Sequence, residues 1–194
     1  MLNDLSSPFH ALATRRSGKP RDLVAPGPTR DEIDRILQVA ARTPDHGKLA
    51  PWRFVVVGPD QRDALAALIV AALRADKPDA APHEIAAAEQ FARQAPALVV
   101  MLFSPRESNI PLWEQQLSAG AAGMNLLHAA HALGYAGGWL TGWPSESTPV
   151  RDAFGSDPER IAGFFFLGTP SRALDERPRP DLASVASHWR PGAA

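Results

Sequence analysis

Apolar residues recur along this chain at two spacings, one typical of amphipathic helices and the other of buried strands. Ser7 and Pro8 form an N-cap and first-turn pair, so a short helix is predicted to begin there. Thr29 with Glu32 is a capping box for a second helix, which has to end before Pro44. Helical spacing also predicts a third helix through Leu65, Leu68, Ile69 and Ala72, an Ala-rich fourth that ends near Arg93, and a short one between Thr148 and Gly155.

Strands are predicted where short runs rich in β-branched and aromatic residues stand between turn signals. Three such runs are Arg53–Val57, Ala97–Phe103 and Ile161–Leu167, and the Gly-rich segment Tyr135–Pro144 is interpreted as a strand followed by a loop. The Gly- and Pro-rich stretch Gly18–Pro28 is predicted to be an extended surface segment.

The longest periodic segment predicts one helix from Leu112 to about Leu133, closed by Gly134. At about 1.5 Å per residue this helix would be roughly 30 Å long, close to the width of a small domain. Its middle, Ala119–Gly123, carries only small residues where large core residues are usual. Each mid-helix Gly costs about 1 kcal/mol of helix stability, so we expect another backbone to pack closely here, such as the same helix of a second subunit.

Helices and strands therefore alternate, but the helices come singly and in pairs between the strands. This order favours a three-layer α/β or α+β sandwich with a mixed sheet over a regular doubly wound fold. No internal repeat is visible, and 194 residues are enough for one hydrophobic core. We therefore predict a single domain that spans residues 1–194.

The composition of the chain excludes several classes of partner and cofactor. A formal net charge of −1 and a pI near 6.6 give no general field that would attract nucleic acid or an anionic membrane. A small ligand held by local cations is expected instead. The absence of Cys excludes thiolate catalysis, iron–sulfur clusters and Cys-bound zinc, and no His pair has the spacing of a helical zinc site. An organic cofactor is the redox option that remains, and no metal is expected.

No segment of the sequence is typical of membrane insertion or secretion. The most apolar long stretch, Leu117–Leu140, contains His128, His131 and several Gly, which is a poor composition for a bilayer span. The first residues, MLNDLSSPFHAL, lack both a basic leader and an apolar core. We therefore expect a cytoplasmic location and no membrane partner.

Polar side chains are concentrated in the loop before the first predicted strand. Arg42, Asp45, His46 and Lys48 lie within the stretch Ala41–Val57. A turn alone does not require this many functional groups, so the loop is a candidate binding site. The alternative is a solvated connection that happens to be charged.

Two clusters of arginine are candidates for holding a phosphate. Neither G-x-G-x-x-G after a strand nor G-x-x-x-x-G-K-[ST] is present, so side chains would have to bind it. Arg15, Arg16 and Ser17 form one cluster, and Arg177 with Arg179 forms the other. Guanidinium groups bind phosphate through two-pronged, charge-assisted contacts. The alternative for either cluster is a solvated position near a helix end.

The Gly-rich segment also contains Trp139 and Trp143. A flat ligand could lie there against backbone without side chains in the way. The alternative is that both tryptophans fill the core.

Four motifs in this order resemble the nitroreductase superfamily, in particular its small bacterial NAD(P)H nitroreductase branch. They are RRS near the N-terminus, RTPDHGKLAPWRFVVV, WEQQLSAGAAGMNLLHAAHALGYAGGWLTG and the closing GFFFLGTP. The resemblance covers nearly the whole chain. It implies an α+β fold, namely a three-layer α/β/α sandwich with a mixed, mainly antiparallel sheet, and a homodimer with the long central helix at its interface.

The same resemblance implies that FMN is bound at the dimer interface and is contacted by both chains. Ten residues match the family's flavin contacts: Arg15, Arg16 and Ser17 at the phosphate and ribityl chain, Arg42 and His46 at the flavin, Trp139, Leu140 and Thr141 along the isoalloxazine ring, and Arg177 and Arg179 in the tail at the phosphate. No side chain is assigned a catalytic role, because the flavin itself accepts and delivers the hydride.

Two functions from different classes are compatible with these residues. The first is an FMN-dependent NAD(P)H oxidoreductase that passes hydride through FMN to a nitroaromatic, quinone or similar conjugated small molecule. The second is a non-catalytic flavin-binding or flavin-sequestering protein on the same fold, because a fold and a cofactor site do not establish turnover.

Overall fold

The computed structural model describes residues 1–191, and the predicted domain therefore includes three residues, 192–194, outside the described part. The helices are α1 (Pro8–Ala13), α2 (Arg30–Ala40), α3 (Arg62–Asp76), α4 (Pro82–Phe91), α5 (Leu112–Ala132), α6 (Trp143–Glu146), α7 (Thr148–Asp152) and α8 (Leu182–Val185). The strands are β1 (Leu23–Val24), β2 (Trp52–Val57), β3 (Ala97–Phe103), β4 (Ala136–Leu140) and β5 (Arg160–Pro170). Short 3-10 turns lie at Pro20–Asp22, His46–Lys48 and Pro59–Gln61.

β5 is the strand around which the sheet is built. It pairs antiparallel with β1, β3 and β4, and β3 pairs antiparallel with β2. The mainly antiparallel sheet is confirmed, and within residues 1–191 no parallel pairing makes it mixed. Phe164, Phe165 and Phe166 of β5 are fully buried. Because successive side chains of a strand point to opposite faces, these three fill the cores on both sides.

Helices cover both faces of the sheet and make three layers. One core joins α3, α4 and α7 to the face that carries Phe164 and Phe166. The other core joins α2 and α5 to the face that carries Phe165. The predicted three-layer α+β sandwich is therefore confirmed, and the helices α2, α3, α4, α5 and α7 bury apolar residues against the sheet.

The helix ends follow the predicted signals. The Thr29 hydroxyl accepts from the Glu32 N–H at 3.3 Å, and the Glu32 carboxylate accepts from the Thr29 N–H at 2.8 Å, which completes the capping box of α2. Gly134, with φ of 88°, closes α5 as expected. No helix within residues 1–191, α5 included, is long and apolar enough to cross a membrane.

The segment Gly18–Pro28 differs from its prediction as a surface segment. Gly18 is buried, and its N–H donates to the Gly137 carbonyl of β4 at 3.1 Å. A Cβ at Gly18 would lie 2.6 Å from the end of the Leu23 side chain, which would have to shift to admit a larger residue. The Gly and Pro residues of this segment predict turns and give no sign of the contact between Gly18 and β4. The strand at Leu23–Val24 is too short to show an alternating pattern.

Candidate functional site

A cavity of about 440 Å³ opens between the N-terminal arginines, α5 and β4. Its volume is within the roughly 300–1,000 Å³ typical of small-molecule sites. The lining comes from four parts of the chain: Arg15–Pro20, Met124 and Leu127 of α5, Gly138–Leu140 of β4, and Arg177 of the tail. The structure thus brings together six of the ten residues expected at the flavin: Arg15, Arg16, Ser17, Trp139, Leu140 and Arg177.

The arginine run is fixed through its backbone. The Arg16 N–H donates to Asn3 Oδ1 at 2.7 Å, and the Asn3 side-chain amide donates to the Arg16 carbonyl at 3.2 Å. Two residues later, Gly18 is bonded to β4 as described above. The main chain of the arginine run is therefore held at both Arg16 and Gly18.

Several arginines lie close to one another at the cavity. Arg15 is partly buried and donates to Ser17 Oγ at 3.2 Å. Burial lowers the pKa of Arg15 below its ordinary value, and repulsion from Arg179 and Arg16 lowers it further. Arg179 lies close because it donates to the Arg15 carbonyl at 3.2 Å. Partly desolvated cations that repel one another form a site that favours an anion.

The tail after β5 reaches the same arginines. Arg16 Nε donates to the Asp175 carbonyl at 2.6 Å, a contact between residues 159 positions apart. Arg177 lines the cavity two residues further on. The two arginine clusters that are remote in sequence therefore form one group in the fold.

Part of the cavity wall is glycine backbone of β4. A Cβ at Gly138 would lie 2.7 Å from the Gly18 carbonyl, so the Gly allows β4 to contact the arginine segment. Trp139 stacks on Phe165 with ring centroids 4.8 Å apart, and its indole N–H donates to the Ala162 carbonyl at 3.0 Å. Trp139 thus fills the core and also borders the cavity, which combines the two interpretations of its sequence context.

Four of the expected flavin contacts do not line the cavity within this chain. Arg179 lies beside it, bonded to Arg15. Thr141 is exposed directly after β4. Arg42 and His46 are exposed in the loop between α2 and β2. This loop, residues 41–51, lies on another side of α5.

Side chains of α5 hold the loop 41–51 in place. The pairs are Glu114 Oε2 with His46 Nδ1 at 2.8 Å, Ser118 Oγ with the Pro44 carbonyl at 2.6 Å, and Asn125 Nδ2 with Thr43 Oγ1 at 2.8 Å. Gly47, Lys48 and Ala50 have φ values of 78°, 55° and 47°. A non-glycine residue in this conformation costs about 1–3 kcal/mol, and such strain concentrates at functional sites. The loop is therefore a constrained element rather than a simple connection.

An exposed apolar stripe of α5 separates the loop from the cavity. We define it by Trp113, Leu117, Gly120, Ala121 and Met124, which follow one another at helical spacing. Trp113 is 60% exposed and Leu117 64% exposed. The loop flanks one side of the stripe, and Met124 borders the cavity on the other.

The small residues in the middle of α5 have two different surroundings. A Cβ at Gly123 would lie 2.9 Å from ring atoms of both Trp139 and Phe165, so this chain itself makes the close approach. A Cβ at Gly120 would meet nothing within 4 Å. Aromatic side chains of this chain, and not another backbone as expected, therefore pack closely against Gly123, while Gly120 lies on the open stripe.

Two histidines of α5 lie near the arginines. His131 is buried, and burial together with Arg15 and His128 lowers its pKa to about 4, so it is neutral at pH 7. Within residues 1–191 neither of its ring nitrogens has a hydrogen-bond partner. No group of three or more His, Asp or Glu residues in this part of the chain could hold a metal ion.

The sequence did not identify several residues of the cavity. These are Gly18, Lys19, Pro20, Met124, Leu127 and Gly138. Only Lys19 had a recognisable signal in the sequence, since it is a third cation two residues after Ser17. Met124 and Leu127 share a helix face by their spacing, but no local pattern indicates what that face contacts.

The chain is similar in sequence to a known protein family and to individual proteins. The family model described as "Nitroreductase family" matches residues 12–169. A Haemophilus influenzae protein named "Putative NAD(P)H nitroreductase" is 37% identical over 161 residues, which are 81% of this chain and 85% of that protein.

Solved structures agree with the fold. A nitroreductase-like family protein from Bacillus cereus has a TM-score of 0.78 at 18% identity and covers 95% of this chain and 96% of its own. A Desulfovibrio desulfuricans protein, described as a "putative nitroreductase in complex with fmn", has a TM-score of 0.72 at 22% identity and covers 96% of this chain and 99% of its own. At these identities the likeness shows the fold, and it confirms the predicted fold class.

Proposed function

The chain belongs to the nitroreductase family, and from this we propose that it is an FMN-dependent NAD(P)H oxidoreductase whose flavin occupies the cavity beside Arg15 and Arg16. FMN, when bound, accepts hydride from NAD(P)H and passes it to a conjugated acceptor such as a nitroaromatic or a quinone. The observation that carries the proposal is the convergence of two remote arginine clusters on one cavity with a Gly-rich wall.

The residues of the cavity fit the chemical parts of FMN. A phosphate dianion requires cations, and Arg15, Arg16 and Arg177 line the space. The ribityl chain requires hydrogen-bonding groups, which Ser17 supplies, and the flat ring suits the wall formed by Gly138, Trp139 and Leu140. FAD would need a further site for its adenosine half, and the sequence has no dinucleotide fingerprint.

The names of relatives support the same function. The Haemophilus influenzae relative is named for NAD(P)H, and the Desulfovibrio desulfuricans structure is described as a complex with FMN. In this chain the protein's task would be to bind and orient the flavin and to restrict its contact with water. No catalytic acid or base is proposed, because the flavin itself accepts and delivers the hydride.

We include a homodimer in the proposal. The apolar stripe leaves large side chains in water, and Phe9 of α1 adds another that is 75% exposed. Contiguous apolar surface of this kind marks an interaction site. A two-fold pairing of α5 through the stripe would bring the loop of one copy, with Arg42 and His46, towards the cavity of the other. The site would then be complete only in the dimer.

The other partners in the proposal are small molecules. They are NAD(P)H as electron donor and a conjugated electron acceptor, while nucleic acid and membranes are not proposed as partners, because the net charge of −1 provides no basic field. The cytoplasmic location stays a prediction.

A flavin-binding protein without turnover is the second candidate function. The cavity lining within residues 1–191 of this chain has no His, Asp, Glu or Tyr, and storage of a flavin needs only binding. The two candidates differ in whether bound flavin exchanges electrons with a nicotinamide donor.

Anaerobic mixing of the flavin-loaded protein with NADH or NADPH separates the candidates. We expect the visible absorbance of the flavin to bleach within seconds with at least one donor and to return when a quinone is added. Colour that persists with both donors would support the flavin-sequestering protein instead. The cofactor released by denaturation should be FMN, and FAD in that extract would contradict the assignment of the cavity.

A further inference from the structure

One carboxylate, that of Glu176, lies within the arginine group beside the cavity. Its Oε1 accepts from Arg179 at 3.3 Å and from the backbone N–H of Arg177 at 2.7 Å. Arg179 in turn is bonded to the Arg15 carbonyl. The residue before Glu176 is held by Arg16 through its carbonyl, so the tail is fixed on both sides of this carboxylate.

The charge of Glu176 acts on the arginines that face the cavity. The Arg177 N–H lowers the pKa of Glu176 first, and the positive charges of Arg179 and Arg16 lower it as well. Glu176 in return counteracts the lowering of the Arg15 pKa. The carboxylate is therefore ionised near neutral pH. Its negative charge offsets part of the positive charge of the arginines to which an anion would bind.

We propose that Glu176 sets the affinity of the cavity for a phosphate group by competing with that phosphate for the guanidinium groups of Arg15, Arg16 and Arg179. The inference rests on the proposed function in one respect, namely that the phosphate is the one of FMN. A dianion among these arginines would lie close to a second negative charge, so Glu176 weakens binding unless its side chain moves away.

Removal of the Glu176 charge destabilises the empty site and stabilises the site with phosphate bound, and both changes increase the affinity for phosphate. Without Glu176 the arginines of the empty site repel one another with less compensation, which raises the free energy of that state. In the loaded site the repulsion between carboxylate and phosphate disappears. Both effects increase affinity for a phosphate ligand and leave a ligand without phosphate unaffected.

The test compares Glu176→Gln with a matched control, Glu89→Gln. Glu89 also accepts from an arginine, Arg93 Nη1 at 2.9 Å, and is 54% exposed against 58% for Glu176. It lies on α4, which covers the sheet face opposite to α5. The two variants therefore change net charge and side-chain shape alike, but only one of them alters the arginine group.

Apoprotein is titrated with FMN and with riboflavin by quenching of flavin fluorescence. For Glu176→Gln we expect FMN to bind about two- to fivefold more tightly, which is the range that exposed charge pairs produce. Riboflavin affinity should stay the same, and Glu89→Gln should change neither ligand. An unchanged or weaker FMN affinity in Glu176→Gln, or an equal gain for riboflavin, would overturn the inference.

The wild-type titration judges the proposed function separately. A wild-type protein that binds no FMN contradicts that function, and inorganic pyrophosphate followed by calorimetry then replaces FMN as the probe of Glu176. The expected direction is the same, tighter binding in Glu176→Gln than in Glu89→Gln, and equal affinities would overturn the inference there as well.

Discussion

Arg16 makes two kinds of contact through one side chain. Its Nε donates to the Asp175 carbonyl at 2.6 Å and thereby holds the tail, while the residue also lines the cavity. A guanidinium group has five N–H donors in a planar fork, so donors remain for a phosphate when one of them is bonded to the tail. Lysine, with a single ammonium, could not serve both partners in this geometry.

Replacement of Arg16 by Ala tests its contact with phosphate. We expect a loss of about 1.5–3 kcal/mol in FMN binding, which is a ten- to hundredfold weaker affinity, because a charge-assisted contact is removed. Riboflavin, which lacks the phosphate, should bind almost as before. Arg16→Lys should recover only part of the loss.

Fluorescence titration of both flavins decides this point. Equal losses for FMN and riboflavin would indicate general damage to the cavity. No loss for either flavin would support the alternative interpretation, in which Arg16 is solvated near a helix end and does not contact the phosphate.

At the residue scale the sequence predicted which side chains could bind a phosphate better than it predicted which residues contact them in the fold. Arg15, Arg16 and Arg177 could be named because guanidinium groups have a recognisable chemistry. The roles of Asn3 and Glu176 could not be predicted from the sequence. Asn3 bonds to Arg16, 13 residues away, and the contact of Glu176 with Arg179 depends on how the tail folds. Their residue types carry no signal for such contacts.

Glu159 joins three elements at one end of the sheet. It pairs with Arg53 of β2 at 2.8 and 3.0 Å, and it also accepts from the Ser104 hydroxyl, directly after β3. Glu159 itself precedes β5. Bonds from Arg53 first, with Ser104 and the Ser156 N–H, lower the pKa of Glu159 from 4.5 to about 2. This cluster fixes the start of β2, where the constrained loop 41–51 ends.

The depressed pKa of Glu159 predicts a specific pH dependence of stability. Between the unfolded value near 4.5 and the folded value of about 2, the unfolded chain binds more protons than the folded chain. Glu159 therefore contributes stability that is complete above about pH 5 and is lost as the pH falls towards 2.

Glu159→Gln should remove that contribution. We expect a loss on the order of 2–3 kcal/mol in the free energy of unfolding at pH 7, and a flatter decline between pH 5 and pH 2 than in the wild type. Urea unfolding at several pH values measures both, with Glu89→Gln as the exposed control. A variant that declines as steeply as the wild type in this interval would show that another carboxylate is responsible.

At the element scale the sequence predicted elements with strong local signals. α2 has a capping box and an apolar stripe, and β3 is a continuous apolar run, Ala97–Phe103, that the structure reproduces. The sequence did not predict β1, and β5 extends to Pro170, beyond its predicted end at Leu167. Both depend on the pairing of Leu23–Val24 with the end of β5, a contact between distant segments that periodicity does not show.

The whole molecule places its candidate flavin contacts on two sides of α5. The arginines and β4 surround the cavity, whereas Arg42 and His46 lie in the loop beyond the apolar stripe. One chain therefore carries both groups of candidate residues but does not bring them together. The sequence could supply the members of each group through family resemblance, but only the fold shows that the two groups lie on opposite flanks of an exposed apolar surface.

The central claim is that FMN binds between two copies, with the cavity of one and the loop of the other. Mixed dimers of two variants test it, one with Arg16→Ala and the other with Arg42→Ala and His46→Ala. Each variant alone should bind FMN weakly, because both of its sites lack one half. In a mixed dimer one site would combine the intact cavity of the second variant with the intact loop of the first, and the other site would lack both.

The measurement is an FMN titration of differently tagged variants, unfolded together, refolded and purified through both tags. The account predicts one site of wild-type affinity per mixed dimer, with NAD(P)H-dependent bleaching of that flavin. Mixed dimers that bind FMN as weakly as either parent would contradict it, since a site contained within a single chain cannot be restored by a partner.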